Sequence, residues 1–179
     1  MKTVGQAALR AQMRDLLRTT SPEILRYFER RVERREDAAD LLGDTLLVAW
    51  RKVDTMPVGD RDRHRAWLFT IAAHVLSNHR RSTRRRGALT DRLRGLLAFA
   101  PVEEDASEGH AVRDAVSRLP EGHRELVRLV HWDGLSLNEA AAVIGINAST
   151  ARSRYAAARK TLRVELDDAD EDARAVSHG

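Results

Sequence analysis

The stretch from Ser136 to Leu166, SLNEAAAVIGINASTARSRYAAARKTLRVEL, leaves its part of the chain little choice of structure. Ser136 followed three residues later by Glu139 is a capping-box pattern, in which each side chain satisfies an orphan backbone donor at a helix start. Ala140, Ala141, Val143 and Ile144 give the short helix that follows an apolar face. Gly145 supplies the residue type that accepts a left-handed exit, and Asn147 is a good N-cap for a second, longer helix. In that helix Ala151, Tyr155, Ala158 and Leu162 share one face, which predicts a core contact. Ser149, Ser153, Ala156 and Lys160 project the other way, with Arg152 and Arg163 on one flank and Thr150 and Arg154 on the other. The pattern is a helix-turn-helix with a small, hydroxylated, basic outer surface. A major groove, about 12 Å wide, admits one such helix. A helical hairpin with a solvated basic face fits the same residues, so the rest of the chain has to decide.

Charge is the next discriminator. Residues 1–86 carry 19 basic and 11 acidic side chains, 87–111 carry 2 and 5, 112–166 carry 9 and 6, and 167–179 carry 1 and 5. Two basic blocks flanking an acidic one suggest two separate contacts with a polyanion. All but three of the 31 basic residues are arginine, the side chain suited to bidentate phosphate and guanine contacts. The absence of cysteine excludes disulfides, zinc fingers and a thiol nucleophile, and no apolar run approaches the ~20 residues of a membrane span. A cytoplasmic protein without membrane insertion is expected.

Upstream, Ala7, Leu9, Met13, Leu16 and Leu17 fall near helical spacing, and Ser21-Pro22 reads as an N-cap with proline at the first position of a new helix. From Glu36 to Val53 a helical period of Ala38, Leu41, Leu42, Leu46, Ala49, Trp50 and Val53 predicts a buried stripe. The other face carries Asp40, Asp44 and exposed Leu47 and Val48 around a mid-helix Gly43, which reads either as a docking surface or as a helix buried on two sides. MPVGDRDRHR at 56–65 reads as a loop. A long helix is expected from Ala66, with Trp67, Leu68, Ile71, Ala72, Val75 and Leu76 inward and Thr70, Ala73, His74, Ser77, Asn78 and Arg81 outward. It runs into HRRSTRRR at 79–86, a cluster that dipole compensation at a helix end does not account for.

Beyond a weakly amphipathic stretch with Leu89, Leu93, Leu96 and Leu97, residues 100–110 are polar, acidic and aperiodic and read as a linker. Val112, Val116 and Leu119, then Leu126, Val127, Val130 and Trp132, predict two helices ahead of the helix-turn-helix, and the acidic tail after Leu166 is expected to fray.

Three segments in this order, EDAADLLGDTLLVAW, RAWLFTIAAHVLSNHRR and LPEGHRELVRLVHWDGLSLNEAAAVIGINASTARSRYAAARKTL, make the chain resemble the extracytoplasmic-function (ECF) sigma factors of bacterial RNA polymerase over residues 20–166. The resemblance implies an all-α fold of two small helical domains joined by a flexible acidic linker. Residues 1–20 would be an N-terminal extension, 21–99 the domain that docks on core polymerase and melts the minus-ten element, and 100–111 the linker. Residues 112–166 would be the minus-thirty-five domain and 167–179 an acidic tail.

By the same resemblance Asp40, Asp44 and Leu47 would dock on the clamp helices of the largest subunit, with a further polymerase contact at the flap. His64, Arg65, His74, Asn78, Arg80, Arg81 and Arg84 would hold the opened minus-ten strand, with Trp67 packed in the core. Ser149, Thr150, Arg152, Ser153 and Arg154 would read the minus-thirty-five element, with Arg159, Lys160 and Arg163 mainly on phosphates. Promoter DNA and core polymerase are the implied partners, and an anti-sigma factor is a third. Gly43, Met56, His64, Thr70 and Ala73 depart from residues common in the family at their positions. No catalytic residue, metal or cofactor is expected. An operator-binding regulator is the alternative, but it leaves the acidic helix and the 79–86 cluster unexplained. The seven histidines are scattered without the spacing of an enzyme site.

Overall fold

The computed structural model of the protein describes residues 2–94 and 110–176, with side chains over 6–85 and 112–167. Every regular element among the described residues is helical, so the chain is all-α as expected. It divides into two compact units, Met1–Ala98 and Phe99–Gly179.

The first unit holds α1 (Lys2–Glu29), α2 (Arg35–Arg51), a 3-10 turn at Val53–Thr55 and α3 (Arg61–Arg94). Its core takes Met13, Leu16, Ile24, Tyr27 and Phe28 from α1, Ala38, Leu41 and Ala49 from α2, and Leu68, Phe69, Ile71, Ala72 and Leu76 from α3. Tyr27 meets Phe28 and Phe69 edge-on, with ring centroids 5.3 and 5.6 Å apart, the arrangement that aromatic quadrupoles favour.

Three local expectations are corrected here. No helix begins at Pro22, because α1 runs through it. The buried stripe of Met13, Leu16, Thr20, Ile24 and Phe28 continues across the proline, and burial on both sides of it offsets the roughly 3 kcal/mol that an interior proline costs. Second, α3 starts at Arg61, five residues before Ala66. Asp60 Oδ1 accepts the backbone N–H of Arg63 at 3.0 Å, so the supposed loop contains an N-cap. Third, Trp50 is 40% exposed, and α2 buries Thr45 instead. The Thr45 hydroxyl donates to the Leu41 carbonyl at 2.7 Å, which removes the cost of placing it in the core.

The second unit holds α4 (His110–Arg118), α5 (Glu121–His131), α6 (Leu137–Ile144) and α7 (Ala148–Val176). Val116, Leu119, Val127 and Ala158 are buried together, with Tyr155 and Leu162 packed against them. The Arg124 guanidinium donates to the Leu119 carbonyl at 2.9 Å and closes the turn between α4 and α5. Arg118 reaches Asp114 on its own helix and Glu165 on α7. The hydrogen bond to Glu165 is the main reason its guanidinium is held above its already high ordinary value.

Leu129 is buried where Val130 and Trp132 were expected to line α5; Val130 is half-buried and Trp132 is 37% exposed at the helix end. Residues 110–111 belong to α4, and the rest of the expected linker lies outside the described residues, as do the side chains of Leu89 and Leu93 and the whole of Leu96 and Leu97. The acidic stretch after Leu166, expected to fray, is helical as far as the described residues reach. The helix α7 continues to Val176, with neither glycine nor proline in its length to stop it.

Candidate nucleic-acid and docking surfaces

The helix-turn-helix is built as its residues dictate. Ser136 N donates to Glu139 Oε2 at 2.7 Å and Glu139 N to Ser136 Oγ at 3.3 Å, so both halves of the capping box are formed. Gly145 has φ 76°, and the N–H groups of Gly145 and Ile146 close on the carbonyls of Ala142 and Ala141. Asn147 Oδ1 then accepts the backbone N–H of Thr150 at 2.7 Å and opens α7.

Ala151 and Ala158 are fully buried, which turns the opposite side of α7 outward. Ser149, Arg152, Ser153, Ala156, Arg159, Lys160 and Arg163 are all exposed. Thr150 and Arg154 are half-buried on the flank. Arg154 lies over the first turn of α5, where a Cβ on Gly122 would come within 3.1 Å of its Nη1. Tyr155 and His131 stand 2.8 Å apart between Oη and Nε2, which ties α7 to the end of α5.

On α3, His74, Asn78, Arg81, Arg84 and Arg85 are exposed, and Arg80 is half-buried. One continuous helix carries them, and spacings of three and four residues set His74, Asn78, Arg81 and Arg85 along one stripe. Arg81 Nη2 lies 3.4 Å from Ser77 Oγ, a weak contact that leaves most of the guanidinium turned to solvent.

Two residues grouped with them in the sequence sit elsewhere. His64 is 5% exposed, and its Nε2–H donates to the Pro57 carbonyl at 2.9 Å, so it fastens the 56–60 segment to α3. Arg65 pairs through Nε with Glu23 on α1 and lies over the Phe69 ring at 5.1 Å. The family resemblance places both at the minus-ten strand, whereas their side chains here pack within the first unit. The cap at Asp60 puts them in the first turn of a packed helix.

On α2, Asp40, Asp44 and Leu47 are exposed on one face, Leu47 to 57%, and Val48 is half-buried. Trp50 continues that face, a member that apolar periodicity had assigned to the core. A Cβ on Gly43 would meet nothing within 4 Å, so the middle of this face is open.

The two helical units that carry these surfaces each match a known family. Residues 16–86 match the Sigma-70 region 2 family and residues 109–162 match the Sigma-70, region 4 family. The chain is 32% identical over 166 residues to the ECF RNA polymerase sigma factor SigL of Mycobacterium tuberculosis, covering 90% of this chain and 93% of that protein. It belongs to the ECF sigma factors.

The RNA polymerase sigma-E factor of Streptomyces coelicolor is likewise 32% identical over 169 residues, covering 92% of each. Among solved structures, the sigma factor RpoE of Bartonella quintana, crystallised with the anti-sigma factor NepR, aligns with a TM-score of 0.53 at 27% identity, over 93% of this chain and 98% of that one. The protein is thus an alternative sigma factor that directs transcription initiation, and the operator-binding alternative is not favoured. No helix among the described residues is long and apolar enough to cross a membrane.

Proposed function

We propose that the protein acts in the cytoplasm as a non-catalytic initiation subunit. In this reading, core RNA polymerase docks on the Asp40, Asp44, Leu47 and Trp50 face of α2, and promoter DNA is held by α3 and α7. Ser149, Thr150, Arg152, Ser153 and Arg154 read the minus-thirty-five element, while Arg159, Lys160 and Arg163 neutralise phosphates beside it. His74, Asn78, Arg80, Arg81 and Arg84 hold the displaced strand at the minus-ten element, where cations and unstacked bases are met together. His64 and Arg65 serve from within, by fixing the segment ahead of α3. The polymerase carries out phosphoryl transfer. The acidic linker would thread the polymerase channel that later holds nascent RNA. The relative crystallised with an anti-sigma factor supports a partner of that class for this chain too.

The observation that carries the reading is the exposure of Leu47 and Trp50 beside two carboxylates on a helix remote in sequence from the helix-turn-helix. An apolar spot rimmed by charge on a folded unit marks a protein-binding surface, which a free-standing DNA-binding regulator does not require. Run-off transcription with bacterial core polymerase and a library of promoter fragments tests it. Discrete transcripts are expected only when the protein is present. A folded Asp44→Arg, Leu47→Ala double variant should no longer co-purify with core. Normal co-purification of that variant would remove α2 from the interface.

A further inference from the structure

The opening turn of α7 fixes the direction of one hydrogen bond that faces outward. Asn147 Oδ1 accepts from the backbone N–H of Thr150 at 2.7 Å. A backbone N–H only donates, so the oxygen, not the amide nitrogen, must occupy that position. The same Oδ1 lies 2.8 Å from Ser149 Oγ. An amide oxygen has no proton to give, so the Ser149 hydroxyl is the donor in this pair. Its single proton is committed to Asn147, and only lone pairs remain for a partner outside. Ser149 is exposed on the outward face of α7.

We propose that Ser149 is an acceptor-only reader of base amines in the minus-thirty-five element, and that Asn147 is the positioning residue that makes it so. The proposal rests on α7 being the helix that enters the major groove. Only cytosine N4–H2 and adenine N6–H2 present donors there, whereas guanine and thymine present acceptors, as do phosphate oxygens. A serine with a free proton bonds to any of these. With its proton held by Asn147, Ser149 is repelled by phosphate, guanine O6 and thymine O4, and is attracted to an amine on the strand it faces. The residue therefore contributes sequence preference rather than uniform affinity.

The test is promoter selection from a library with a randomised minus-thirty-five element, using the full chain with bacterial core polymerase, followed by sequencing of the initiating templates. The wild type should favour adenine or cytosine over guanine or thymine at one position by roughly three- to tenfold, the discrimination available to one neutral hydrogen bond. Ser149→Ala should abolish the preference at that position alone. Asn147→Gly, which an N-cap tolerates, frees the hydroxyl and should admit guanine and thymine there. Asn147→Asp keeps an acceptor for both donors, and should restore the pattern even if its charge weakens binding at every sequence.

A merely structural cap would alter yield but not the base chosen. If Ser149→Ala lowers initiation equally on all templates, the hydroxyl is a phosphate ligand and the proposal is overturned. If Asn147→Gly keeps the wild-type preference, the role of Asn147 is overturned, and Ser149→Ala decides alone should that variant fail to fold. Sequence selection by the wild type with no change in Ser149→Ala ends the inference but not the proposed function. Failure of the wild type to select any sequence ends both.

Discussion

The Arg65 guanidinium is held by the carboxylate of Glu23, 42 residues upstream, with side chains only 18% and 33% exposed. The pair joins the start of α3 to the last two turns of α1 and lies beside the Phe69 ring, so it acts on the fold before it acts on any ligand. Removing either partner leaves a half-buried charge. Arg65→Ala and Glu23→Gln should each destabilise by about 1–2 kcal/mol, between an exposed pair and a buried one. In the double variant the two losses should fail to add, with a coupling of about 1 kcal/mol in urea unfolding of the full chain. Additive losses would mean that the two side chains do not pair in solution.

Gly43 lies in the middle of α2 with open space where a Cβ would go. Gly43→Ala should therefore gain close to the full helix-propensity difference, about 1 kcal/mol, and raise the melting temperature of the first unit by roughly 4–8 °C. Calorimetry of the full chain checks this. An unchanged or lower melting temperature would show that the helix bends at Gly43.

The same substitution at Gly145 should have the opposite sign. A Cβ there also meets nothing within 4 Å, yet φ is 76°. The penalty is conformational alone, about 1–2 kcal/mol for an L-residue held in the left-handed region. Gly145→Ala should lower the stability of the second unit by that amount, while Gly145→Asn, which tolerates this conformation better, should lose about half as much. Equal losses would place the cost in packing rather than in the backbone.

This pair of glycines also shows what the sequence made legible. The capping box, the left-handed exit and the Asn147 cap are local devices, and each was readable because its chemistry is complete within four residues. Ser149, Ser153 and Lys160 were placed outward for the same reason, since Ala151 and Ala158 are small enough to fix which face packs. What escaped was either tertiary or masked by a stronger letter. Pro22 signalled a boundary that the buried stripe on both sides of it overrode. Pro57 and Gly59 hid the Asp60 cap, and with it the inward placement of His64 and Arg65. Counting apolar letters put Trp50 inside and passed over Thr45, because a hydroxyl satisfied by its own helix cannot be seen in a periodicity. The Glu23 to Arg65 pair had no local signature at all.

The exposed arginines of α3 give a prediction that separates backbone contacts from base contacts. Arg81 and Arg84 are solvent-facing, and Arg81 makes a weak contact to Ser77. If each neutralises one phosphate of the displaced minus-ten strand, each substitution by alanine releases one fewer phosphate-bound counterion. Binding of a single-stranded minus-ten oligonucleotide by the protein with core polymerase should then lose about 0.7 from the slope of log affinity against log salt for each variant, and about 1.4 for the double. The losses should be the same for a scrambled oligonucleotide, since a phosphate carries no sequence. Asn78→Ala, which removes no charge, should leave the slope nearly unchanged and narrow the difference between the specific and the scrambled strand. An arginine variant that shifts specificity without changing the slope would move that residue from the phosphate track to the bases.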